Sequence, residues 1–264
     1  MNQPVIGQFI PGNSLLHRMD PRSKLLFVLA FMFVVFLANN AASYGLLLAF
    51  IAIGVYFSRI SPIILYRAVK PIFFLLLLTS ILHLWMTKGG DVLLKLPFVT
   101  IYEEGVRQAV FISVRFFLLM AAASLLTFTT SPIDLTDGME RLIKPLERVG
   151  VPAHELALMM SIALRFIPTL WEETEKIKKA QMSRGADFES GHVITRVKSY
   201  IPVFIPLFIS AFRRAEDLAL AMEARGYRGG AGRTKFRELR YSKPDGVLLV
   251  FFVAMLAGLW VLRK

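Results

Sequence analysis

From Leu25 to Phe57 the chain carries no charged residue. A helix needs about 20 apolar residues to cross the hydrocarbon core of a bilayer. The one break in this run is Asn39-Asn40-Ala41-Ala42-Ser43, so it reads as two short helices joined in a tight hairpin. Further apolar runs cover Pro71–Thr87, about Val106–Thr130 and Gly246–Leu262. The chain is therefore expected to be an all-α integral membrane protein with about five transmembrane helices. Composition agrees: 55% of the 264 residues are hydrophobic and 19% are charged, against about 25% charged in soluble domains. No signal peptide is expected, because Asp20 precedes the first apolar run and no small-residue cleavage site follows it. Cysteine is absent, which excludes disulfides, thiol catalysis and thiolate metal ligation.

A formal net charge of +12 could point to nucleic acid, but membrane proteins collect Lys and Arg on their cytoplasmic side. Arg18, Arg22 and Lys24 precede the first span, and Arg59, Arg67 and Lys70 lie between the second and third. The first hairpin loop has no charge, and in Lys88–Gly105 two lysines face Asp91, Glu103 and Glu104. The N-terminus is thus expected in the cytoplasm. The C-terminal Arg263-Lys264 then faces outward, a mild violation of the rule.

Four spans place Ser131–Lys243 on the cytoplasmic side as well, which divides the chain into 1–130, 131–243 and 244–264. The middle stretch is no loop, since its charges alternate with apolar residues at helical spacing. Ser131-Pro132 reads as N-cap and N1 of a short helix that ends near Gly150. A long helix follows from Val151-Pro152 to Arg184, kinked at Pro168. Another begins around Pro202 and Pro206 and ends at Arg225. Both change from apolar to charged along their length, as if each starts against the membrane and finishes away from it.

Both end alike, in Ser183-Arg184-Gly185 and Ala224-Arg225-Gly226. A glycine past a helical run supplies the left-handed C′ residue, and the arginine before it lies at the negative end of the helix dipole. One such ending needs no further explanation. Two suggest a paired docking device, because arginine's planar fork grips carboxylates bidentately. Two tips imply two grooves, hence two similar partner subunits or a dimer.

Other signals fade on inspection. Gly229-Gly230-Ala231-Gly232-Arg233-Thr234-Lys235 lacks the G-x-x-x-x-G-K-[ST] order and the preceding strand of a phosphate loop. As an Arg-Gly tract it is too short to argue for RNA. His154-Glu155 starts like a zinc-protease motif, but Leu158 stands where the second ligand is needed. His17, His83 and His192 are isolated. No cofactor, metal or catalysis is expected. Arg115 lies inside the fourth span, where a charge costs about 2.5–3.5 kcal/mol; snorkelling and a packing or partner role both account for it. Met159, Met160, Met182 and Met222, with Ala219, Ala221 and Ala224, form an adaptable small-residue surface or ordinary packing between the helices.

These features resemble the transmembrane T component of energy-coupling factor (ECF) transporters, a branch of the ABC transporters. The likeness covers nearly the whole chain. It includes the opening Pro11-Gly12-Asn13-Ser14-Leu15-Leu16-His17-Arg18-Met19-Asp20-Pro21-Arg22-Ser23-Lys24 and the run Leu156–Gly185 with Ser161-Ile162-Ala163-Leu164-Arg165-Phe166-Ile167-Pro168. The family's marks are two Ala-Arg-Gly motifs; Ala224-Arg225-Gly226 matches, and Ser183-Arg184-Gly185 replaces Ala with Ser. The resemblance implies a non-catalytic scaffold in a prokaryotic plasma membrane. Two cytoplasmic ATP-binding subunits, a heterodimer, would dock on those motifs. A membrane-embedded substrate-binding S component for a vitamin or micronutrient would touch Met159, Met160, Leu164, Ala219 and Met222. The rival expectation is a permease or channel that moves its own substrate.

Overall fold

The computed structural model describes residues 9–95, 100–190, 192–229, 239 and 241–263. Helix α1 (Pro21–Val35) starts where Asp20 accepts a hydrogen bond from the Arg22 amide and Pro21 occupies the first turn. Asn40, in the break expected from the sequence, caps α2 (Ala41–Ser58) through the Ser43 amide. Then come α3 (Pro62–Met86) and α4 (Glu103–Thr129). Between these two, β1 (Val92–Lys95) and β2 (Thr100–Tyr102) pair antiparallel, a hairpin that the all-α expectation did not contain. Helix α5 (Pro132–Ile143) passes into a 3-10 turn over Lys144–Val149, which ends at the left-handed Gly150. Long helices α6 (Ala153–Ser183) and α7 (Val193–Ala224) follow, and α8 (Lys243–Leu262) closes the chain.

By length and composition, six helices among the described residues can cross a membrane: α2, α3, α4, α8, and also α6 and α7. The first expected span, α1, has fifteen residues, a rise of about 22 Å against a hydrocarbon core of about 30 Å. Helices α6 and α7, expected to be cytoplasmic, carry the most dilute apolar stretches of the six.

The chain separates into two compact units. One holds Gly7–Met139 and Leu239–Lys264. Its core brings together Phe31 and Val35 of α1, Leu47 of α2, Leu118, Ala121 and Phe128 of α4, and Met255 and Leu259 of α8. Small residues let these helices approach closely: a Cβ on Gly105 would stand 3.3 Å from the carbonyls of His83 and Thr87. Arg115 turns inward, and its Nε and Nη2 donate to the Tyr44 hydroxyl at 3.2 and 2.7 Å. Its guanidinium also lies 5.3 Å from the Phe36 ring centre, so both contacts are at the hairpin that joins α1 to α2. His17, isolated in sequence, places its ring nitrogens 2.6 Å from Ser14 Oγ and 2.9 Å from the Ile10 carbonyl.

The second unit covers Glu140–Glu238. It is built on the α6–α7 pair, with His154 of α6 3.2 Å from Glu140 of α5.

Candidate docking site at two helix ends

Helix α7 begins at Val193, not near Pro202 as the sequence suggested. Prolines in a helix interior remove an N–H without always stopping the helix, and α7 runs through both Pro202 and Pro206. Pro206 leaves the Pro202 carbonyl without its intrahelical donor. Gln181 Nε2 of α6 donates to that carbonyl at 3.4 Å. Further along, Arg214 Nη2 of α7 meets Glu173 Oε2 of α6 at 2.8 Å. Advancing from Glu173 to Gln181 on α6 corresponds to retreating from Arg214 to Pro202 on α7, so the helices are antiparallel. Their arginine ends consequently point in opposite directions, and the expectation that both finish on the same far side does not hold for this pair.

Both ends close with the same geometry. At α6, Gly185 (φ 90°) donates to Met182 O at 3.0 Å and Ala186 donates to Gln181 O at 3.0 Å. At α7, Gly226 (φ 71°) donates to Glu223 O at 2.8 Å and Tyr227 donates to Met222 O at 3.0 Å. These are two complete Schellman motifs, in which the last helical carbonyls are satisfied by a reversed chain. Ser183, Arg184, Gly185, Ala224, Arg225 and Gly226 are all exposed. Neither arginine has a hydrogen-bond or ion-pair partner among the described residues. The chain after the first tip is held by Asp187, which accepts from the Glu189 and Ser190 amides at 2.9 and 3.0 Å and from the Ser190 hydroxyl. Those bonds bring its carboxyl down to about 2.

The five residues assigned to a membrane partner divide in the structure. Met159 and Met160 are 57% and 42% exposed on α6, and Leu164 is half-buried. Ala219 and Met222 line an apolar cleft within the helix pair, opposite Ile162 and Phe166. A larger apolar surface was missed: Ile194, Val197, Ile201, Phe204, Phe208 and Phe212 of α7 are each half exposed or more. Their three- and four-residue spacing is one helix face, and the signal was hidden by starting that helix at Pro202. The Gly229–Lys235 segment lies outside the described residues from Gly230 on. Among the described residues no group of three His, Cys, Asp or Glu side chains could hold a metal ion.

The family model for the cobalt transport protein CbiQ matches residues 12–236. The chain is 55% identical over 257 residues to the "energy-coupling factor transporter transmembrane protein EcfT" of Brevibacillus brevis, covering 97% of each. It is 53% identical to the protein so named in Acidaminococcus fermentans, over 98% of this chain and 96% of that one. Against the Bacillus subtilis EcfT the identity is 51%, over 100% and 99%. The chain belongs to the EcfT family. It is a multi-pass transmembrane component of an ECF transporter, as its apolar helices and its relatives agree.

Proposed function

We propose that the chain is the coupling scaffold of an ECF-type importer. Arg184 and Arg225 each dock one of two cytoplasmic ATP-binding subunits, and the apolar faces of α6 and α7 engage a membrane-embedded S component that binds the vitamin or micronutrient. The N-terminus and the unit containing α6 and α7 face the cytoplasm, as the basic residues at the start of α1 (Arg18, Arg22, Lys24) and from the end of α2 into the first turns of α3 (Arg59, Arg67, Lys70) favour. The chain is itself non-catalytic; hydrolysis belongs to the partners.

The matched pair of Schellman ends, each presenting an outward guanidinium, carries this reading. A helix end closed by two backbone bonds is a stiff mount, so docking there orders the arginine side chain without also having to order the backbone that carries it. Its fork pairs best with carboxylates in a groove shielded from water. The α7 stripe from Ile194 to Phe212 is more apolar than a monomer's surface needs, which fits a membrane-facing partner. When the ATPases close or open, tips held in both would move with them and tilt the apolar faces against the S component.

Co-purification tests the reading. The unaltered chain is expected to bring down two ATPase subunits and a small membrane protein. Arg184→Glu or Arg225→Glu sets like charges against each other in a desolvated groove and is expected to abolish ATPase recovery while membrane insertion is unchanged. An intact complex carrying both substitutions would overturn the docking role. Solute uptake by the purified chain alone in liposomes would instead establish a permease.

A further inference from the structure

Helices α6 and α7 match in length to within one residue and share their endings at an offset of 41 residues. Ala153 and Ser183, the ends of α6, map onto Ile194 and Ala224, and Arg184-Gly185 maps onto Arg225-Gly226. The same offset carries Glu173 onto Arg214, and these two side chains are bonded to each other. In an antiparallel pair of equivalent helices, a residue that touches its own equivalent lies on the local two-fold axis. The ion pair marks that axis. Each tip arginine follows it by eleven residues, about 16 Å along its own helix, in opposite directions. Measured along the helices, the tips are therefore separated by up to about 33 Å.

Packing about the axis is unequal. On the Arg184 side the helices are joined again, by Gln181 and the Pro202 carbonyl. On the Arg225 side they part around a cleft of about 420 Å³, walled by Ile162, Phe166 and Leu170 of α6 and by Leu218, Ala219 and Met222 of α7. Arg214 also lines this cleft. Two apolar walls facing one another favour closure, since closing removes their surface from water. A guanidinium–carboxylate contact is directional and fixes both register and separation. We infer that Glu173 and Arg214 are positioning residues: their ion pair is the fulcrum that keeps the Arg225 arm at a set distance from α6 and thereby sets the spacing of the two tips. The Arg184 arm, tied a second time near its end, is the fixed one, and the Arg225 arm is the one that moves. The consequence for transport rests on the docking reading, because spacing matters when two ATPases are gripped at once.

The chain has no cysteine, so spin labels can be placed without background. Lys179→Cys and Leu220→Cys are exposed, are related by the same offset, and stand five residues before each arginine. In the full chain in lipid nanodiscs, pulsed electron–electron resonance is expected to give one narrow distance. Glu173→Ala and Arg214→Ala are each expected to widen the distribution and shift its maximum. Glu173→Arg combined with Arg214→Glu restores the contact with its polarity reversed, and should bring back both position and width. Circular dichroism checks that helix content is kept, and the reversed pair guards against simple misfolding. Single variants that leave the distribution unchanged, or a reversed pair that fails to restore it, would overturn the fulcrum. ATPase co-purification is scored separately. Spacing that follows the ion pair in a chain that binds no ATPase upholds the fulcrum and sinks the docking reading. ATPases bound to a chain whose spacing ignores the ion pair sink the fulcrum alone.

Discussion

Gly185 and Gly226 show how much of the site rests on backbone conformation. A Cβ at either would meet nothing within 4 Å, so space does not demand glycine there. The positive φ does, because an L side chain in the left-handed region costs about 1–2 kcal/mol. Gly226→Ala is thus expected to loosen the last turn of α7 without disturbing its packing. Hydrogen exchange reads this directly: the Tyr227 amide, bonded to Met222 O, should exchange faster, while amides around Glu173 and Arg214 keep their protection. Faster exchange throughout α7 would mean that the glycine supports the whole helix. This part of the site was legible in the sequence, because a glycine after a helical run acts on its own neighbours and needs no distant partner. The place of the two arginines at the helix ends was legible for the same reason. Their relative direction was not, since it depends on which residues of the other helix each one lies beside.

At the scale of elements, the misplaced start of α7 and the missed apolar stripe share one cause. Pro202 and Pro206 were read as a beginning, yet α7 runs through both at the cost of one backbone bond each, and the Pro202 carbonyl finds another donor. Gln181 supplies it, from an element about twenty residues away in sequence, which local pattern cannot see. This contact is open to a double-mutant cycle. Pro206→Ala gives the Pro202 carbonyl an intrahelical donor and removes the need for Gln181; Gln181→Ala removes the interhelical donor. The substitutions should be non-additive, with a coupling of about 0.5–1 kcal/mol, the net value of one hydrogen bond. Thermal unfolding of the four proteins in one detergent measures it, and strict additivity would show that the two residues do not act on one another. The short α1 and the β1–β2 hairpin escaped prediction differently. Apolar content marks where a segment can be buried, but not where its helix stops.

At the scale of the molecule, the segment between α4 and α8 leaves the membrane unit and returns to it within a few residues of the same place. Residues 20–24 hold both roots. Lys24 Nζ donates to Thr129 O and Thr130 Oγ1 at 2.8 and 3.0 Å, where α4 ends. The Asp20 amide donates to Asp245 Oδ1 at 3.0 Å, at the start of α8, and Arg22 Nη2 donates to Leu239 O at 3.1 Å. Arg22 also lies 4.3 Å from the Tyr241 ring centre and grips Asp20 at 2.7 Å. The Asp-Pro-Arg that carried part of the family likeness is thus a clamp between the start of α1, the end of α4 and the start of α8. Burial alone would raise the Asp20 carboxyl, but its bonds to Arg22 and the charges of Arg22 and Lys24 outweigh it and hold the group below its ordinary value. A carboxylate lowered in this way contributes stability that is fully present above its unfolded value, near 4, and is lost as pH falls through the lower folded one. Asp20→Ala removes the carboxylate that Arg22 grips but leaves the guanidinium its bond to Leu239 O and the Tyr241 ring, a loss of about 1.5–3 kcal/mol, the value of a charged hydrogen bond. The variant is expected to melt earlier at neutral pH in detergent, and to lose less stability than the parent when the buffer is taken below pH 4. A parent and variant that lose stability in parallel on acidification would show that the clamp does not depend on this charge. On the docking proposed above, failure of this clamp is expected to weaken transport even where both ATPases still bind, because it ties the end of α4 and the start of α8 to the start of α1.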